Sequence, residues 1–172
     1  MRKTGVQKLA LLSIVLLIVL IFAGAVVRVT GSGLGCPDWP TCWGEFIPPT
    51  SIEQVDESYL EKKLPRLKKS AERFGRDPDE ITVERLLEEY DPVQTWIEFT
   101  NRLLALPVLL ANFLLMIACL RSRIMPKLGV CAFALVIISA LTGIVVVASG
   151  LRSGVVTIHM ALAFLKLFVL TY

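Results

Sequence analysis

The sequence predicts an all-α fold, an integral membrane four-helix bundle with a long outer loop that carries short amphipathic helices. Three observations lead there. Of 172 residues 55% are hydrophobic, and the mean hydropathy of +0.67 is too high for an ordinary water-soluble domain. Four stretches approach the ~20 apolar residues that cross a hydrocarbon core about 30 Å thick. Residues 28–94 hold 14 of the 15 acidic side chains against nine lysines and arginines, so the net charge of +3 conceals a polarised molecule. No nucleic-acid partner is expected; membrane lipid is.

The first span is Leu9 to Val27. Its basic leader MRKTGVQK and the small triplet Ala23-Gly24-Ala25 imitate a secretory signal. A stretch of 19 residues exceeds the ~7–15 of a signal core, so it is read as a retained helix. The second span is Trp96 to Leu120, the third Leu128 to Ala148 and the fourth Val155 to Tyr172. Arg2, Lys3 and Lys8 precede the first, and Arg121, Arg123 and Lys127 lie between the second and third, with no acid beside either group. Both chain ends are therefore expected on the cytoplasmic side of the cell (inner) membrane, and residues 28–94 outside it. These residues read as a loop of a single domain spanning 1–172, not as a domain of their own. Trp39, Trp43 and Trp96 fall in this loop or at the lip of the second span, where amphipathic rings favour the interface.

The loop opens with GCPDWPTCWG. Pro37 and Pro40 bend the chain between Cys36 and Cys42, and an outer compartment is oxidising, so the two cysteines are expected to pair. Their bond would be a structural staple or a redox-active dithiol. Cys119 and Cys131 read as small apolar packing. From Ser51 to Pro92 the segment is highly charged. Leu60, Leu64 and Leu67, then Ile81, Leu86, Leu87 and Tyr90, recur at roughly helical spacing around Gly75 and Pro78. Two short helices forming a solvated lid are expected, with a partner-docking surface as the alternative.

The second span starts WIEFTNR. At 100° per residue with Glu98 at zero, Asn101 falls near about −60°, Arg102 about +40° and Asn112 about −40°, so the strongly polar groups share one face. Such a face turns to the bundle interior, because ionisable groups facing lipid cost several kcal/mol. Glu98 and Arg102, at i and i+4, also have the spacing of a simple neutralising pair. His159, the single histidine, enters with the fourth span about 6 Å below its lip, and Glu98 lies about 4.5 Å below that of the second. One imidazole cannot complete a structural zinc shell. It can supply one axial ligand to a haem, whose apolar ring fits between helices and whose propionates suit arginines such as Arg28, Arg102 and Arg152.

Four stretches then carry a resemblance: GAVVRVTGSGLGCPDWPTCWG after the first span, WIEFTNR opening the second, ALTGIVVVASGL closing the third and VVTIHMALAF opening the fourth. Together they resemble the amino-terminal four-helix half of haem A synthase. The resemblance implies an oxidoreductase that converts the C8 methyl of haem O to the formyl group of haem A for terminal oxidases, a part of cytochrome oxidase assembly. It implies His159 as the axial ligand of the haem iron, Glu98 in proton transfer or charge stabilisation, and Arg28 and Arg102 toward the propionates. The family's second-span pattern is Glu-x-x-His-Arg, and here Asn101 stands where that histidine would be. An amide is a poor iron ligand, so a haem held by His159 alone, with an open coordination position, is expected.

The family's second half, with its own haem b, is not in this sequence. A truncated or split chain is expected, the alternative being a half-sized member that works as a homo-oligomer or with a complementary half. Haem O synthase and terminal oxidase assembly factors are the partners the resemblance suggests. Lys166 lies on the His159 face about 10.5 Å deeper and must snorkel or face a polar interior. Two other functions compete: a non-enzymatic haem-binding assembly or electron-carrier subunit, and a quinone-linked thiol oxidoreductase using Cys36 and Cys42.

Overall fold

The computed structural model describes residues 2–171, with side chains from Gly5 onward. The expected end of the fourth span at Tyr172 and the side chains of Arg2 and Lys3 lie outside the described residues. Six helices follow in order: α1 (Arg2–Val29), α2 (Glu57–Arg73), α3 (Val83–Glu88), α4 (Pro92–Ser122), α5 (Pro126–Ala148) and α6 (Ser153–Thr171). Four of them, α1, α4, α5 and α6, are long and apolar enough to cross a membrane. Each starts before its expected first residue, and α1 and α4 also end beyond their expected last one, because caps rather than hydropathy set where a helix stops. The Asp91 carboxylate accepts the N–H groups of Val93 and Gln94 at 2.7 and 3.2 Å, and Pro92 needs no partner in the first turn. The turn between α4 and α5 is made by Arg123 and Met125 in the left-handed region, with Pro126 starting the next helix.

The spans run alternately up and down. Helix α1 packs on α4 and α6, and α5 packs on the same two, so α4 and α6 occupy opposite corners of the bundle. Leu17, Leu115, Cys119, Ala132 and Leu170 form the core at the end away from the loop. There Gly129 lets α5 approach α4 closely: a Cβ at that position would lie 2.8 Å from Cys119 Cβ and 3.3 Å from the Met116 Cα. Cys119 is buried as expected, whereas Cys131 is exposed on α5 and is not part of the buried core. Large apolar side chains such as Phe22, Leu110 and Phe168 point outward, as lipid-facing positions should.

Lys166 takes the interior option, only 3% exposed. Ser13 of α1, Asn112 of α4 and Ser139 of α5 are also buried, and Ser13 Oγ, Asn112 Oδ1 and Ser139 Oγ have no hydrogen-bond partner among the described residues.

The first lid helix forms where periodicity predicts it and is ended by Gly75 at φ 71°, while the second is shorter than predicted, holding Leu86 and Leu87 but leaving Ile81 and Tyr90 outside. The two helices close over a second core of Cys36, Cys42, Trp43 and Leu60, packed by Tyr59, Val83, Leu86, Leu87, Tyr90 and Phe99. Trp43 thus differs from its expected interfacial position: at 4% exposure it is the centre of this cluster, its ring edge-on to Tyr90 at 5.1 Å. Helix α2 is tied to the bundle by Ser70 Oγ and Arg76 Nη2, which donate to the Ala148 carbonyl at 3.0 and 3.3 Å. A guanidinium at the carbonyl end of α5 also answers that helix's dipole.

Candidate functional site

Glu98 and Arg102 meet on the first turns of α4, and together they grip the cysteine loop. The Cys36 N–H donates to Glu98 Oε2 at 2.9 Å, while Arg102 Nε and Nη2 donate to Oε1 at 3.1 and 2.5 Å. Arg102 also reaches three backbone carbonyls, Asp38 at 2.7 Å, Cys36 at 3.1 Å and Thr41 at 3.2 Å. A guanidinium has five N–H donors. All five are engaged. Glu98 is 4% exposed, so this is a desolvated ion pair whose remaining valences are met by the backbone of a loop some sixty residues away.

The loop itself is shaped to be held. Cys36 and Cys42 are disulfide-bonded with Cα atoms 4.8 Å apart. The Asp38 carboxylate accepts the Trp43 N–H at 2.7 Å, the Gly44 N–H at 3.2 Å, the Tyr59 hydroxyl at 2.8 Å and the Thr41 hydroxyl. Gly35 passes so close to α4 that a Cβ there would meet the Gln94 carbonyl at 2.6 Å and the Thr95 nitrogen at 2.7 Å. Its own carbonyl accepts from Trp43 Nε1 at 2.7 Å and Thr95 Oγ1 at 2.8 Å.

His159 lies half-buried on α6 and turns to α5 rather than to α4. Its Nδ1 is 3.0 Å from Thr142 Oγ1, which in turn donates to the Ser139 carbonyl at 2.9 Å. A Cβ on Gly143 would lie 3.4 Å from the ring Cε1 and 4.0 Å from each ring nitrogen. Thr142 and Gly143 were not singled out from the sequence as site residues, though a depth count finds them. Thr142 is six residues before the end of α5 and His159 six after the start of α6, about 9 Å in each case.

The remaining candidates are spread out. Asn101 faces α1, its Oδ1 3.9 Å from a Cβ built on Gly24, and this oxygen has no partner. It lines a cleft of about 640 Å³ with Ala23, Val26, Thr50, Trp96 and Thr100. Trp96 Nε1 is likewise buried and unpaired. Asn101, Glu98 and His159 share no hydrogen bond with one another, since α4 and α6 are diagonal and each polar group is turned to a different neighbour. Arg28 and Arg152 are exposed near the loop end of the bundle, with no side-chain ion pair among the described residues. No cluster of three or more histidine, cysteine, aspartate or glutamate side chains able to hold a bare metal ion is present among the described residues.

The sequence matches the family model COX15-CtaA, cytochrome oxidase assembly protein, over residues 7–172. Among curated proteins it is similar to the haem A synthase of Shewanella oneidensis, 27% identical over 116 residues, which is 67% of this chain and 28% of that relative. The matched segment is therefore under a third of the relative's length. No solved structure matches. With the family model covering all but the first six residues and four helices of membrane-spanning length, the chain belongs to the COX15-CtaA family of cytochrome oxidase assembly proteins, the haem A synthase family, and is a multi-pass membrane protein.

Proposed function

We propose that this chain, alone or with a complementary half, acts as a haem A synthase, oxidising the C8 methyl of substrate haem O to a formyl group. Family membership supports a role in haem modification for cytochrome oxidase assembly. The observation that carries the reading on this chain is His159, a lone imidazole inside a membrane bundle with no other metal-ligating cluster among the described residues. That donor set suits a porphyrin, which brings four nitrogens of its own and needs one axial base from the protein. Arg28, with Arg152, is left for a propionate, because Arg102 has no donor to give.

Glu98 acts first as the latch that holds the cysteine loop over the bundle; as a proton carrier it would have to release the Cys36 N–H. Asn101, unpaired on the α1 side, offers an amide toward a ligand in the adjacent cleft and no axial base. The bundle sits in the cell membrane with residues 28–94 outside, a reading supported by Arg121, Arg123 and Lys127 at the opposite end and by the disulfide. Helices α2 and α3 form its lid.

One observation favours a second reading. Both Glu98 oxygens are engaged and no acid is bonded to His159 among the described residues, as suits a protein that holds haem without turning it over. Thiol exchange is disfavoured, because Cys36 and Cys42 are 0% and 1% exposed beneath Trp43 and offer a partner thiol no line of attack. The deciding experiment supplies haem O to the purified chain under air with an added redox mediator, since methyl to formyl is a four-electron oxidation that needs an external oxidant and an oxygen atom from water or dioxygen, and follows the pigments by chromatography. Haem A formed by the wild type and not by His159→Ala supports the synthase. A haem spectrum that depends on His159 without conversion, with or without a full-length family member's carboxy-terminal half, supports the carrier.

A further inference from the structure

We propose that Thr142 is a positioning residue that fixes the tautomer of His159 and so decides which ring nitrogen is offered to haem iron, with Gly143 as the floor on which the ring lies. The inference rests on the haem reading above. Thr142 Oγ1 carries a single proton. At 2.9 Å it faces the Ser139 carbonyl, which can only accept, so the proton is directed there. The same oxygen is 3.0 Å from His159 Nδ1 and, with its proton committed, can only accept from that nitrogen. Nδ1 therefore bears the N–H. A neutral imidazole protonated at Nδ1 has its lone pair at Nε2, and Nε2 makes no hydrogen bond among the described residues. The relay from the Ser139 carbonyl through Thr142 to Nδ1 is the outer-shell arrangement that orients a ligating histidine and raises its basicity.

Gly143 completes the seat. A methyl there would touch the ring at ordinary van der Waals distance, 3.4 Å from Cε1, whereas a branched side chain would enter the volume the ring occupies. The ring is thereby met by α5 twice, at Cε1 by the close approach of Gly143 and at Nδ1 by the hydrogen bond of Thr142. Both constraints come from consecutive residues, so one turn of α5 sets both tilt and tautomer.

The test uses the full chain in detergent, titrated with iron protoporphyrin IX and followed by the Soret band, the haem midpoint potential and, in the ferrous state, the iron–imidazole stretch by resonance Raman. Thr142→Val should weaken binding about 10- to 100-fold, lower the stretch frequency and raise the potential, since the ring loses its acceptor and some basicity. Thr142→Ser, which keeps the hydroxyl, should stay close to wild type in all three. Thr142→Ala serves the same purpose as valine should the latter not assemble. Gly143→Ala should bind haem and Gly143→Leu should not. A Thr142→Val or Thr142→Ala protein with wild-type affinity, stretch and potential overturns the inference while leaving the haem reading intact. A wild-type Soret band in His159→Ala overturns the haem reading itself.

Discussion

Arg102 is the side chain with the most bonds in the described protein, and its value lies in geometry as much as charge. A lysine has three donors and no planar fork, so it cannot reach Glu98 and three carbonyls at once. Arg102→Ala leaves a buried carboxylate and three carbonyls unanswered and should destabilise the protein by about 3–5 kcal/mol. Thermal melting in detergent, with the rate at which a small thiol reduces the Cys36–Cys42 bond, measures this: the variant should melt earlier and be reduced faster. Gly35→Ala should fail in the same assays, because its Cβ meets backbone rather than a movable side chain. From sequence, the i, i+4 spacing made the Glu98–Arg102 pair legible, and the prolines made the disulfide plausible. What the pair holds was not legible, since Cys36 lies 62 residues from Glu98 and no local pattern encodes a bond across that separation. The wheel placed Asn101 and Glu98 on one broad face, yet about 60° between them is enough for one to meet the loop and the other α1.

Among elements, the four spans and two lid helices were legible from hydropathy and apolar spacing. Their ends were less so, because Asp91 with Pro92, and Gly75, act through backbone geometry. Asp91→Ala should cost α4 about 1 kcal/mol, seen as faster amide exchange in its first turn. Helix α2 hangs on the bundle by Ser70 and Arg76 at Ala148, so a Ser70→Ala, Arg76→Ala double variant should expose α2 to exchange while α5 stays protected below its last turn. Tyr90 gives the lid a pH limit. Burial, with help from Asp91 and Glu53, pushes its hydroxyl above the usual value of about 10. Because the folded value is raised, the contribution is intact below that unfolded value and fades as pH climbs through the folded one. Lid loosening in alkali should therefore be weaker in Tyr90→Phe than in wild type, although the phenylalanine also gives up the bond to the Pro49 carbonyl.

At the scale of the whole molecule, the bundle carries a buried ammonium with no ion pair among the described residues. Replacing it as Lys166→Met should raise the melting temperature, since a thioether of similar length fills the space without the desolvation penalty. A fall instead would mean that Lys166 answers an acceptor inside the bundle. The sequence left this side chain a choice between snorkelling and burial, because Lys166 stands far enough along α6 for either, and only packing within the bundle decides. The up-down order also separates the partners of Glu98 and His159: at similar depth on the diagonal helices α4 and α6, the one bonds to the cysteine loop and the other to α5. One consequence concerns biogenesis. Sulfurs sealed beneath Trp43, on a loop whose backbone Glu98 and Arg102 grip, are out of reach of an oxidising catalyst in the finished fold, so their joining is expected to precede the settling of the lid.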